Sequence, residues 1–314
     1  MIRVEHLTKR YGENLALDDL SFEAEPGMVT GFLGPNGAGK STTLRILTGI
    51  DRPTSGRATV TGRTYAHLTS PLRQVGALLD AHAVQLSRTA EDHLTWLALA
   101  GGLDRRRVSV VLEQVGLSEV ADRRIRGFSL GMKQRLGVAA ALLGDPEVVL
   151  LDEPVNGLDA DGIHWVRSLF RRLAGEGRTV FLSSHLMSEI ELTADSAVVI
   201  GQGRLIRQST VVDLRNAMTS QQVRMRSPDL TDLVSGLERL GASVRLEHDS
   251  VVSEGVDASA IGEMAFHRGI VLYELSPIRP SLEEAFIALT KDFSSHRSGP
   301  LGDPCSRDDR EDEA

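Results

Sequence analysis

Short apolar runs bounded by turn residues alternate along this chain with stretches whose apolar positions recur at helical spacing. That alternation is the pattern of an α/β fold. Residues 29–33 read as a short buried strand that runs into GPNGAGKST, and residues 40–48 as the helix that leaves it. The run DRPTSG that follows is turn chemistry. Over about residues 85–145 the periodicity turns helical, at 93–103, 108–115 and 132–143. Residues 148–151 then predict a strand, 161–176 a helix and 179–183 another strand, and the first domain ends near Ala217.

Beyond it the rhythm changes. Strands are expected at 222–226, 243–247, 250–253 and 270–275. Helices are expected from Ser227-Pro228-Asp229 to about Leu240, over 257–267 and over 281–290. Pro228 reads as proline at a first helical position, and Ser281 with Glu284 as a capping box. The order β-α-β-β-α-β suggests a small α+β module of ferredoxin-like type over 218–291. Residues 292–314, rich in Ser, Gly, Pro and acids, read as a disordered acidic tail.

Composition narrows the field. Hydrophobic residues make up 41% and charged ones 25%, enough for a sizeable core. A net charge of −8 disfavours nucleic acid as the main partner, because phosphate neutralisation needs a basic surface. The single cysteine, Cys305, precludes an intramolecular disulfide and fits a reducing compartment. There is no signal-peptide pattern and no run of about 18 apolar residues, so any work at a membrane is expected to go through a partner.

The chemistry concentrates in Gly34, Pro35, Asn36, Gly37, Ala38, Gly39, Lys40, Ser41 and Thr42. This G-x-x-x-x-G-K-[ST] loop lies between a strand and a helix. Its glycines let backbone N–H groups converge on a β-phosphate, with the helix start adding a favourable dipole. Lys40 can supply charge to β- and γ-phosphates, and Ser41 a hydroxyl to Mg²⁺. Asp152 and Glu153 end a buried apolar run: the first can hold Mg²⁺ through water, the second can polarise a water for attack on the γ-phosphorus. His185 is either a γ-phosphate donor or a structural histidine after a strand. Tyr11 is either a stacking platform for adenine or an aromatic in a Tyr-Gly turn.

A second anion-ready helix start stands almost ninety residues away, in FSLGMKQRLG, with Ser129 as cap and Gly131 as a close-approach glycine. In this order the pieces resemble the ATP-binding cassette family over roughly residues 1–217. Gly34–Thr42 is similar to its Walker A loop and Val148–Glu153 to its Walker B strand. Asn156-Gly-Leu-Asp159 is similar to the D-loop, His185 to the switch histidine, and Tyr11 to the adenine-stacking aromatic. Ser129-Leu130-Gly131-Met132-Lys133 resembles the signature motif, with Leu130 and Met132 where the common form has glycines.

The resemblance implies a P-loop ATPase domain with a helical subdomain. It further implies a homodimer closing head to tail on ATP, each signature helix capping the γ-phosphate held by its partner. Asp80 stands where the family's Q-loop glutamine is expected, a candidate ligand of Mg²⁺ or water. Absence of spans implies a separate polytopic permease and a peripheral place on the cytoplasmic face of the membrane. Trp96 is then either a permease contact or core. The VGALLD and PSLEE segments resemble bacterial exporters with a small C-terminal domain, often linked to antibiotic or lipid export. The alternative is a soluble cassette ATPase acting on nucleic acid or ribosomes.

Overall fold

In IRVEHLTKRY the inward positions Ile2 and Val4 alternate with exposed Arg3 and Glu5, which makes this stretch a half-buried strand, β1 (Ile2–Tyr11). The alternation slips at His6, where φ is +49° and the register shifts, so Leu7 is the next residue to enter the core. A tight turn returns the chain as β2 (Asn14–Ala24), antiparallel to β1. The structure is a computed structural model that describes residues 1–216 and 222–278.

β3 (Val29–Leu33) is buried along its whole length and delivers the glycine loop to α1 (Lys40–Leu47). β4 (Ser55–Val60) then pairs with β1, closing a three-stranded sheet of order β2-β1-β4. A short α2 (Pro71–Gln74) leads into β5 (Val75–Leu78). The expected helical region follows as α3 (Ala90–Ala100), α4 (Arg106–Gln114) and α5 (Leu130–Leu142). After it the chain alternates through β6 (Val148–Asp152), α6 (Ala160–Gly175), β7 (Thr179–Ser184), α7 (Met187–Thr193), β8 (Ser196–Gly201), β9 (Arg204–Thr210) and α8 (Val211–Asn216).

These strands form one six-stranded sheet of order β5-β6-β7-β3-β8-β9, parallel except for the last pair. β7 lies between β6 and β3, so the carboxyl ends of all three open side by side. Ligands of open α/β sheets bind at such ends. The small sheet is pinned over this one by Phe22 of β2, Phe32 of β3 and Phe181 of β7, with ring centroids 5.1 to 5.5 Å apart. Truncating a buried ring of this kind costs about 3–5 kcal/mol. The trio therefore fixes where β1 and β2 stand relative to the glycine loop.

The C-terminal module runs β10 (Gln222–Arg226), α9 (Leu230–Arg239), β11 (Ser243–Glu247), β12 (Ser250–Glu254), α10 (Ala258–Arg268) and β13 (Glu274–Ile278). Its sheet is antiparallel throughout with order β11-β12-β10-β13, the ferredoxin-like arrangement. Val223, Met225, Leu233, Leu237, Val251 and Ile261 form its separate core.

Two local expectations are corrected. Pro228 precedes the helix instead of opening it: Asp229 is the N-cap, accepting from Asp232 N at 3.1 Å, while the Ser227 hydroxyl takes Asp229 N–H in the turn before. The last strand begins at Glu274, not at residue 270. After the left-handed cap Gly269 the chain must climb from α10 to reach Arg226 on β10, so residues 270–273 are spent on the crossing. The helix expected at 281–290, its capping box and the acidic tail lie outside the described residues. Among the described residues no helix is long and apolar enough to cross a membrane.

Candidate functional site

A cavity of about 1050 Å³ opens at the carboxyl ends of β3 and β6. Pro35 to Thr42 of the loop, Asp152, Glu153 and Tyr11 line it, joined by Asn14, Leu15, Ala16 and Asp18 of β2 and by Gly201, Gln202 and Arg204. The N-cap of α1 is Gly39, at φ +105° and without a side-chain cap. An added Cβ there would stand 2.5 Å from Leu17 and 2.9 Å from the Ala16 carbonyl, so only glycine fits both the angle and the space. The first-turn N–H groups of α1 have no intrahelical acceptor and face the cavity. With the dipole they form an anion site.

Lys40 is buried, with Nζ donating to the Gly34 carbonyl at 2.7 Å and to that of Pro35 at 3.4 Å. Burial lowers its pKa, offset in part by the charges of Glu153 and Asp152. Its ammonium is 3.9 Å from Glu153 Oε1. Glu153 Oε2 is 2.9 Å from His185 Nδ1, so the carboxylate lies between a lysine and the histidine that follows β7. Asp152 accepts from the Ser183 hydroxyl, which orients it at the end of β6. Neither His185 nor Gly34 lines the cavity: His185 pairs with Glu153, which does, and the Gly34 carbonyl accepts from Lys40, which does.

Glu153 has a left-handed backbone, φ +48°, uncommon outside glycine and kept only where neighbours enforce it. Its N–H donates to the Ser183 carbonyl at 3.3 Å and hydroxyl at 3.1 Å. Its carbonyl accepts from Nε2 of Gln134 at 3.2 Å. Gln134 is a buried amide on α5, nineteen residues before Glu153. The sequence placed Gln134 directly after the signature-like residues, but no pattern tied it to Glu153; the further signal available was a polar residue on an otherwise apolar helix face.

The residues that resemble a signature motif lie elsewhere. Ser129 caps α5, its hydroxyl accepting Met132 N–H at 3.2 Å, and neither Ser129, Leu130 nor Gly131 lines the cavity. Leu130 covers Gly157 of the D-loop segment: a Cβ on Gly157, which sits at φ +76°, would be 2.1 Å from Leu130 Cδ2. Leu130 is thus accommodated by a glycine opposite. Asp159 N-caps α6, Oδ1 accepting Gly162 N–H at 2.8 Å. Asp80 is also outside the lining; its Oδ1 accepts His82 N–H at 2.7 Å and faces His82 Nδ1 at 3.2 Å. Trp96 is not core: it is 50% exposed, with Arg88 4.7 Å over its ring.

A glycine loop on a helix start, a buried lysine and consecutive acids at the end of one buried strand define a P-loop nucleotide hydrolase. Comparison with known proteins narrows this. Residues 17–156 match the family model described as ABC transporter, and residues 221–283 a domain of unknown function (DUF8746). The chain is 33% identical to an uncharacterized ABC transporter ATP-binding protein, YcbN, of Bacillus subtilis (strain 168), over 92% of this chain and 96% of that one. It is 41% identical to the bacitracin transport ATP-binding protein BcrA of Bacillus licheniformis, over 66% and 69% of the two chains. A solved structure of the ATP-binding subunit of an ABC transporter superposes with TM-score 0.63 at 29% identity, over 69% of this chain and 92% of that one. The chain belongs to the ATP-binding proteins of ABC transporters. It binds ATP and is an ATPase. Both named relatives are ABC or transport proteins, and neither name points to nucleic acid or ribosomes.

Proposed function

We propose that this chain powers export of an antibiotic- or lipid-like substrate through a separate membrane permease, working as a head-to-tail homodimer on the cytoplasmic face. The likeness to a bacitracin transport protein carries the export reading. The permease contact is supported by Trp96, Leu99 and Leu86, which are 50%, 58% and 48% exposed on and before α3. An exposed tryptophan beside exposed leucines suits a docking surface better than open water. The dimer is supported by the position of Ser129 and Gly131: an exposed helix start outside its own chain's cavity is available to a partner's nucleotide.

The triphosphate of ATP lies against the loop N–H groups, with Lys40 on its β- and γ-oxygens. Ser41 and Asp152 offer one hydroxyl and one carboxylate, hard oxygen donors of the kind that would hold Mg²⁺. When bound, Mg²⁺ supplies neutralisation of charge on the β- and γ-oxygens. Glu153 takes a proton from the attacking water as its oxygen bonds to the γ-phosphorus. The bond to the β–γ bridging oxygen breaks, and ADP leaves with the electron pair. His185, protonated at Nδ1, donates to Glu153 Oε2 and fixes the base. Asp80 replaces the family's glutamine as the residue that senses the γ-phosphate through metal or water. Asp80→Gln is expected to change the Mg²⁺ dependence of the ATPase; an unchanged rate and unchanged dependence contradict that role.

The function is tested by a pull-down from native membranes with tagged Glu153→Gln protein, with and without MgATP. Recovery of a polytopic membrane protein is the expected outcome. Ribosomal proteins or DNA without a membrane partner contradict the proposal.

A further inference from the structure

Tyr11 is held from two directions before any nucleotide arrives. Its hydroxyl donates to Asp51 Oδ2 at 2.5 Å. Lys9 Nζ stands 4.6 Å from the ring centroid and donates to the Arg52 carbonyl at 2.7 Å, so one ring face is already occupied by a tethered cation. Asp51 is itself gripped by a guanidinium fork: Arg45 Nε donates to Oδ2 at 2.8 Å and Nη2 to Oδ1 at 3.2 Å. Arg45 belongs to α1, the helix whose first turn faces the phosphates. Tyr11 lines the cavity, whereas Lys9, Arg45 and Asp51 do not.

From these contacts we infer that Asp51, braced by Arg45, is a positioning residue for nucleotide binding. It locks the Tyr11 ring to α1 with the face opposite Lys9 turned to the base, so that adenine and triphosphate meet one rigid unit. The inference rests on the reading of Tyr11 as the adenine platform and adds the device that fixes it. The charges suit the task. Hydrogen bonds from Arg45 and Tyr11 hold the Asp51 carboxyl at about 2, an anion at working pH. Burial and the bond to Asp51 raise the Tyr11 hydroxyl, which therefore stays a donor. A ring fixed in advance loses less freedom on binding than one that must be ordered, which sets the expected gain at about fivefold in affinity.

The test is calorimetric titration of the full chain carrying Glu153→Gln, with MgATP and separately with inorganic tripolyphosphate and Mg²⁺. Asp51→Ala is expected to weaken ATP about fivefold and to leave tripolyphosphate unchanged. Tyr11→Phe keeps the ring, removes the hydroxyl and retains both partners of the Arg45–Asp51 pair; it is expected to match Asp51→Ala, and combining the two is expected to cost nothing further. Tyr11→Ala is expected to weaken ATP by about tenfold or more. Unchanged ATP affinity in Asp51→Ala, or equal losses for ATP and tripolyphosphate, overturns the positioning role while Tyr11→Ala still reports stacking. Unchanged ATP affinity in Tyr11→Ala overturns the stacking reading and the positioning role together.

Discussion

Two helix starts in this chain are built for negative charge, and they differ in everything around them. α1 begins at Gly39 without a side-chain cap, beside a buried lysine, at the mouth of a cavity of about 1050 Å³. α5 begins at Ser129, whose own hydroxyl takes Met132 N–H, on an exposed surface that lines no part of that cavity. A dipole alone is worth about 0.3–1 kcal/mol at an exposed site. Geometry decides the rest: free donors, a cation and walls make α1 a binding site, whereas α5 is half of one. On the proposed dimer, the missing half is a nucleotide brought by another chain.

The comparison breaks first at Lys40. Lys40→Met removes the cation that α5 lacks, and ATP affinity of the isolated chain is expected to fall about a hundredfold, on the order of 3 kcal/mol for a lost charge-assisted bond. Near-parental affinity by calorimetry places binding elsewhere. Gln134 sharpens the comparison, since it ties α5 to the strained Glu153 peptide and so links the two helix ends within one chain. Gln134→Leu is expected to lower kcat five- to tenfold at unchanged KM, about 1 kcal/mol for the bond that holds the peptide. A change in KM alone makes Gln134 a binding residue instead. The smallest effect belongs to Ser129→Ala. It is expected to cost about 1 kcal/mol in chemical denaturation by loss of the cap, with ATP affinity of the monomer unchanged. A weakened monomer affinity gives Ser129 a role within its own chain's site.

Much of this site was legible because its chemistry is local. A loop that bends a backbone around phosphate needs glycines, a lysine and a helix start within nine consecutive residues, and Gly34–Thr42 shows them in one line. Asp152 and Glu153 announced themselves at the end of an apolar run for the same reason. Contacts made across the fold left no such trace. Tyr11 meets Asp51 at a separation of forty residues, and Gln134 meets Glu153 at nineteen, through pairs that no periodicity encodes. The three-stranded sheet escaped the hydrophobic pattern because the bulge at His6 interrupts β1 midway. In the C-terminal module the order of elements was enough to indicate the sheet, yet the last strand lies four residues later than its apolar run suggested. Trp96 shows the converse limit: an apolar neighbourhood in sequence became an exposed patch once α3 turned that face outward.

The central claim is that α5 of one chain completes the site begun by α1 of the other. Mixing two crippled chains tests it most directly, with both carrying Glu153→Gln so that bound ATP is retained. One chain also bears Lys40→Met and keeps its Ser129; the other keeps Lys40 and bears Ser129→Asp, which sets a negative charge against the γ-phosphate. Neither chain alone is expected to trap ATP. Together they contain one intact pairing of Lys40 with a partner's Ser129, and the mixture is expected to retain ATP in a dimer isolated by gel filtration. Retention by the Ser129→Asp chain alone, or no retention on mixing, contradicts the claim and leaves α5 without a part in the nucleotide site.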